Sequence, residues 1–241
     1  VKIALVGYGR MGHAIEAAAR TRGHEVALVV DKAARGARGA RSLGSARLSG
    51  VDVAFEFTEG EAALENVLAL LARGVPVVSG TTGWNPDDPL LAAALRRHRG
   101  AFLHAPNFSV GVAAFFRAAG LAAAVLRSAG GYDAWIVESH HAGKRDAPSG
   151  TAKRLATIGG GNVPVASVRA GHDPGRHTIG FDGPHDVLTL THQARSREAF
   201  ASGAVAAGEW LRGRRGRFGF DDVVDDLLRG RGAGKARGGK R

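Results

Sequence analysis

The feature that most constrains this chain is a glycine triplet near its start, Gly7-Tyr8-Gly9-Arg10-Met11-Gly12, set between an apolar run and a helical pattern. "KIALVG" before it reads as a strand, and Met11, Ala14, Ile15 and Ala18 recur at helical spacing across residues 10–22. In a strand–turn–helix, the three glycines do different work. Gly7 permits the tight turn, Gly9 lets backbone approach a pyrophosphate, and Gly12 allows close helix–strand packing. A helix that starts there offers free N–H groups and the positive end of its dipole to an anion. Asp31 closes the next predicted strand, "EVALVV", where a carboxylate reaches ribose hydroxyls. The bland alternative is glycine used only for packing; with Asp31 in place the pattern implies dinucleotide binding.

The rest of the first half repeats the rhythm. Strands are predicted at 51–57, 75–80 and 101–105, alternating with helices at 60–73 and 88–98, which implies a doubly wound parallel α/β sheet. After Asn107 the pattern changes. A helix over 110–128 is followed by "YDAWIVESHH", a helix from about 149, and strands near 165–169, 177–181 and 186–193, the last two joined by "FDGPHD" as a hairpin. That is a second, α+β domain with a mixed sheet. Helices at 198–212 and 220–228 return to the first domain. The division expected is therefore 1–108 plus 201–228 for a discontinuous dinucleotide-binding domain, 109–200 for a substrate-binding and oligomerisation domain, and 229–241 for a disordered basic tail.

Composition narrows the chemistry. There is no cysteine, which removes disulfides, thiolate catalysis and cysteine-ligated zinc. No apolar run approaches the roughly 20 residues of a bilayer span. The sequence opens on a strand pattern without a charged-then-apolar leader, so a cytoplasmic location is expected. Of the net charge of +11, six positive residues sit in "RGRGAGKARGGKR", leaving +5 to attract an anionic small molecule. The tail has no aromatic side chain for base stacking, so a nucleic-acid partner is not expected.

Three more segments end predicted strands where ligands bind in such sheets: "FTEG" after the third, "SGTTG", with Gly80, Thr81 and Thr82, after the fourth, and "APNFS", with Ala105, Pro106, Asn107 and Phe108, after the fifth. Lys32, Arg35 and Arg38 follow Asp31. The acid favours NADH through the 2′-hydroxyl, whereas the cations favour the 2′-phosphate of NADPH, and both remain open.

The densest chemistry lies in "ESHHAGKRDAPSGTA", residues 138–152. His140 and His141 are neighbours, so on a strand they point oppositely. Lys144, four residues past His140, returns to its side through a turn, and a His–Lys pair in one pocket handles protons near neutrality. Glu138 is placed to orient or balance them. Pro148 and Ser149 read as a helix start, at which Gly150 and Thr151 present N–H groups and a hydroxyl to a carboxylate or phosphate. A solvated polar loop is the alternative. Metal binding by the adjacent histidines fits poorly and shows no third ligand, so no metal is expected.

These residues resemble the signature of the 4-hydroxy-tetrahydrodipicolinate reductase (dihydrodipicolinate reductase) family of the diaminopimelate and lysine pathway. "GYGRMG", "GTTG", "APNFSVGV", "SVRAGHDPGRHTIGF" and "LTHQARSREAFASGA" follow in family order. The resemblance implies a Rossmann-like domain with a mixed-sheet substrate domain, a homotetramer, and reduction of a cyclic dicarboxylate by NADH or NADPH without a metal. It implies His140 and Lys144 as catalytic proton handlers, with His141, Gly150 and Thr151 on substrate. Gly7, Tyr8, Gly9, Arg10, Met11, Gly12, Asp31, Lys32, Gly80, Thr81, Thr82, Ala105, Pro106, Asn107 and Phe108 would line the cofactor. The chain departs from the family pattern in its shorter glycine loop, in Glu56 for a common Asp, and in Arg176. Two rivals remain: another NAD(P)-dependent dehydrogenase of amino or keto dicarboxylic acids, and a non-catalytic dinucleotide sensor that uses its tail on nucleic acid.

Overall fold

A computed structural model describes residues 1–230. The expectation for the tail falls, from residue 231 onward, outside the described residues. The chain forms two compact units, Val1–Ser109 with the segment from Phe200, and Val110–Ala199.

The first unit carries strands β1 (Lys2–Val6), β2 (Glu25–Val30), β3 (Gly39–Ala40), β4 (Val53–Glu56), β5 (Val77–Ser79) and β6 (Ala101–His104), with helices α1 (Arg10–Thr21), α2 (Gly60–Ala72) and α3 (Pro89–His98). Numbered along the chain, the second unit supplies α4 (Val110–Ala129), β7 (Asp133–His140), α5 (Gly150–Gly159), β8 (Val165–Arg169), β9 (Arg176–Asp182) and β10 (Val187–Gln193). Helix α6 (Glu198–Leu211), strand β11 (Gly216–Gly219) and helix α7 (Phe220–Leu228) complete the first unit.

The seven-stranded sheet has the order β11-β6-β5-β4-β1-β2-β3, parallel throughout. This is the doubly wound sheet expected. Its strands are buried on both faces, which is why Ile3, Ala4, Leu5 and Val6 form an unbroken apolar run with no polar face. One face packs on Val67, Leu70 and Leu71 of α2 and Leu91 and Leu95 of α3. On the other, α6 comes so close that a Cβ on Gly208 would stand 2.5 Å from Phe55, so only glycine fits there. Full burial of a side chain such as Phe55 or Phe102 contributes about 1.5–3 kcal/mol. The short edge strands β3 and β11 were not anticipated: two to four residues containing glycine and arginine show no period to read.

The second sheet is mixed, in order β10-β9-β7-β8, with β7–β8 parallel and β7–β9 and β9–β10 antiparallel. The hairpin read from "FDGPHD" is β9–β10. One face packs on Val112, Phe115, Phe116 and Ala119 of α4 and Ala152 and Leu155 of α5. The chain beyond leaves Val137, Val168, Val187 and Leu188 exposed. Helix α4 corrects one expectation, because by length and composition it is apolar enough to cross a bilayer. Arg117 and Arg127 break the apolar run sought in the sequence, while its many alanines keep the mean hydropathy high. Its inner side chains belong to the core of the second unit.

Candidate active site

The order of the first sheet reverses at β1, whose neighbours β2 and β4 lead away on either side. Ligands of open α/β sheets bind at such a switch point, beyond the strand C-termini. Gly7 sits there with φ +88°, and a Cβ on it would run into the Phe57 carbonyl at the end of β4. A Cβ on Gly12 would stand 2.5 Å from the Gly7 carbonyl oxygen, so the loop folds against its own helix. Gly9 differs: nothing lies within 4 Å of a Cβ there, and as N-cap of α1 it makes no side-chain cap. The α1 start thus has no side-chain cap and open space beside Gly9, which suits the approach of a phosphate. Arg10 is exposed and Met11 half-buried at the start of that helix.

Asp31, just past β2, accepts the backbone N–H of Tyr8 at 2.8 Å and of Ala33 at 2.9 Å. Those two bonds, with Lys32 nearby, hold its carboxyl below the usual range, so it is ionised. Beside it lies a cavity of about 500 Å³ lined by Tyr8, His13, Asp31, Arg35 and Arg38, among others. Lys32 is exposed and does not line it. Two of the lining residues, Tyr8 and Arg38, belong to a polar network that the sequence did not announce. The Tyr8 hydroxyl bonds buried Glu16, which Arg20 also reaches at 2.7 Å and Arg38 at 3.2 Å. Burial pushes the Glu16 carboxyl up, but the three partners outweigh it and lower its pKa. The Tyr8 ring packs on His13, centroids 4.0 Å apart. Arg38 also donates to the Val26 carbonyl, whereas Arg35 touches only the Ala34 carbonyl among the described residues.

Further along the strand ends, buried Glu56 ties the "SGTTG" loop to Thr58, just past the end of its own strand. It accepts Ser79 Oγ at 2.7 Å, Thr81 Oγ1 at 3.0 Å and the Thr58 hydroxyl. Gly80 packs so tightly on Phe57 that a side chain there would collide with the ring; Thr81 is buried and Thr82 exposed. Ala105 N–H donates to the Ser79 carbonyl at 3.2 Å, Asn107 Oδ1 accepts Ser109 N–H at 2.8 Å, Phe108 is buried between Phe57 and Phe220, and Pro106 is exposed. The Glu that departs from the family pattern thus has its own partners in place.

The second unit holds the other cluster. Alternation on β7 sends Ile136, Glu138 and His140 to the covered face. Register then does the assembly: His177 of β9 lies opposite Glu138, and Arg169 of β8 opposite His140. Glu138 is fully buried. Its Oε1 accepts Arg169 Nη2 at 2.5 Å and the Ser149 N–H at 3.2 Å. Its Oε2 lies 2.7 Å from His140 Nδ1 as a close contact whose direction misses hydrogen-bond geometry, so neither atom has a hydrogen-bond partner in the protein. Burial pushes Glu138 up, but Arg169 and the bonds from Ser167 and Ser149 prevail and hold its pKa at about 2. Burial lowers His140, helped by Lys144 and Arg169 and opposed by Glu138. His177, deeper, is lowered to about 4, chiefly by burial, with neighbouring His140 adding to the effect and Glu138 opposing it. Both rings are therefore neutral at pH 7.

Lys144, half-buried, donates to Asp146 Oδ1 at 2.7 Å. His141 is half-buried, its N–H bonded to the Asp173 carbonyl at 2.8 Å. Helix α5 begins at Gly150, with Ser149 as N-cap accepting Ala152 N–H at 3.2 Å. Gly150 is exposed and Thr151 half-exposed on that first turn.

The third ligand that the sequence did not offer for a metal is supplied by the fold: Glu138, His140 and His177 put ligand atoms within 4.8 Å of one another, the one such group among the described residues. The spacing favours a shared proton. Two tetrahedral zinc ligands at ~2.0–2.1 Å stand roughly 3.3 Å apart, wider than the 2.7 Å between His140 Nδ1 and Glu138 Oε2. Arg169 already neutralises the carboxylate.

Comparison with known proteins covers both units. Residues 1–108 match the family described as "Dihydrodipicolinate reductase, N-terminus" and residues 111–224 that described as "Dihydrodipicolinate reductase, C-terminus". The chain is 34% identical to a 4-hydroxy-tetrahydrodipicolinate reductase of Christiangramia forsetii over 95% of this chain and 100% of that protein. It is 38% identical to one of Natronomonas pharaonis, over 90% and 96% respectively. In fold it is similar to the dipicolinate-bound dihydrodipicolinate reductase of Paenisporosarcina sp. TG-14, with a TM-score of 0.80 at 23% identity, covering 92% of this chain and 99% of that one.

Proposed function

The chain belongs to the dihydrodipicolinate reductase family, and from that premise we propose that it reduces 4-hydroxy-tetrahydrodipicolinate to tetrahydrodipicolinate with a nicotinamide cofactor. The observation that carries this reading is the gathering of His140, Lys144 and the α5 N-terminus in one segment, residues 138–152.

The first unit fits the cofactor: the uncapped α1 start suits its pyrophosphate, ionised Asp31 its ribose, and the cavity beside Tyr8 its adenosine end. When bound, the reduced nicotinamide supplies the hydride. Both NADH and NADPH serve. Asp31 accepts from a 2′-hydroxyl, and Arg35, the cation of the cavity not committed to Glu16, pairs a 2′-phosphate.

On the second unit Gly150 and Thr151 receive a substrate carboxylate, with His141 beside them. Lys144 delivers the proton. Its ammonium, paired with Asp146, carries a proton to give, whereas His140 is neutral at pH 7 and orders the pocket beside it. Hydride takes the place of the 4-hydroxyl, which accepts that proton and leaves as water. A cation at this point also stabilises negative charge as it develops. The exposed sheet face bearing Val137, Val168 and Val187 supports assembly as a homotetramer, to be checked by light scattering.

Lys144→Ala is expected to lower kcat by about 10²- to 10⁴-fold with little change in cofactor affinity. Unchanged turnover on 4-hydroxy-tetrahydrodipicolinate would sink the assignment.

A further inference from the structure

Glu138 is the one fully buried carboxylate of the second unit, and its contacts reach His140, the Ser149 cap of α5 and Arg169. Oε2 faces His140 Nδ1 at 2.7 Å. Oε1 takes the Ser149 N–H, the residue that caps α5 and so places Gly150 and Thr151. Oε1 also takes Arg169 Nη2, which at the same time donates to the Asp146 carbonyl at 2.6 Å, while the Asp146 side chain holds Lys144. His177 closes the ring from below, 3.0 Å from Ser149 Oγ and 3.8 Å from Glu138 Oε2.

We propose that Glu138 is a positioning residue: one carboxylate holds His140 in the tautomer with its proton on Nδ1 and ties down both the Lys144 turn and the first turn of α5. The chemistry follows from the donor inventory. A carboxylate only accepts, so the ring nitrogen facing it must carry the hydrogen, and the other nitrogen is left as acceptor. That other nitrogen, Nε2, lies over Gly175, where a Cβ would stand 2.9 Å from it; glycine keeps that side of the ring open. Arg169 offsets the cost of burying the charge, and Ser149 and Ser167 complete its solvation. This inference rests on the reading of His140, Lys144 and the α5 start as the proton-handling and carboxylate-binding parts.

The test is Glu138→Gln. The amide oxygen keeps Ser149 and Arg169, and the amide NH₂ then faces His140 Nδ1, forcing the ring proton to Nε2. Nitrogen-15 NMR of the histidines is expected to show His140 switched from the Nδ1–H to the Nε2–H form. kcat is expected to fall about 10²- to 10⁴-fold, with NADH affinity unchanged. The pH limb belonging to His140, which faces Glu138, Arg169, Lys144, Asp173 and His177, is expected to move to lower pH, because a neighbouring negative charge has gone. Glu138→Asp keeps the charge but retracts it; it is expected to stay folded, keep the Nδ1–H form and lose about tenfold in kcat. A lower melting temperature with unchanged kcat and tautomer would overturn the proposal, leaving Glu138 a structural residue only. So would zinc titration of the wild-type protein that shifts the His140 and His177 resonances stoichiometrically. If Glu138→Gln shows the tautomer switch but the wild-type protein does not turn over 4-hydroxy-tetrahydrodipicolinate, the positioning stands and the reductase reading fails.

Discussion

The helix N-termini of α1 and α5, proposed to hold the cofactor pyrophosphate and the substrate carboxylate, are made from different materials. Helix α1 starts at Gly9 with no side-chain cap, and its surroundings are shaped by glycines pressed against backbone. Helix α5 starts behind Ser149, which is bonded to His177 and anchored on buried Glu138. The first site is held by steric exclusion of side chains, the second by an ionised network. A backbone cradle recognises a phosphate at any pH where the phosphate is charged. A network of one carboxylate, one guanidinium and two neutral imidazoles holds its geometry only in one protonation state.

That contrast can be broken in several ways. The largest effect is expected at Gly7. Gly7→Ala meets both a φ of +88° and the Phe57 carbonyl, and is expected to cost about 3 kcal/mol of stability together with cofactor binding. Thermal melts and a cofactor titration check this, and wild-type affinity would show that the loop is not backbone-limited. Acid stability probes the other side. His177 is held at about 4 against an ordinary 6.5, so below 6.5 the unfolded chain binds the proton that the folded one refuses. Stability is then complete above pH 6.5 and falls by on the order of 3 kcal/mol as pH drops to 4. Glu138, held at about 2, adds its own loss between pH 4.5 and 2. Urea denaturation at a series of pH values measures both, and His177→Gln is expected to flatten only the upper window. The smallest effect is at Arg35. Arg35→Ala is expected to weaken NADPH by roughly tenfold, about 1.4 kcal/mol, and to leave NADH unaffected. Equal losses for the two cofactors would place the 2′-phosphate elsewhere.

The same contrast explains what could be read in advance. The Gly7–Gly12 loop and Asp31 are separated by few residues and by regular elements, so spacing alone placed them. Glu16 and the Tyr8 hydroxyl escaped notice, because a Glu on a helix reads as solvent-facing until its partners Arg20 and Arg38 are seen around it. Glu56 read as a departure from a pattern and proved to be the buried acceptor of Ser79 and Thr81.

By itself the sequence determined the local things: the alternation that makes a doubly wound sheet, the glycine turn that opens α1, and the clustering of His140, Lys144 and the α5 start within fifteen residues. These depend on interactions a few residues apart, which composition and period encode directly. Only the tertiary structure decided that Arg169, 31 residues beyond Glu138, and His177 on the next strand complete that cluster. Strand register brings them in, and register is set by the packing of a whole sheet on α4 and α5, which no short stretch of the chain contains.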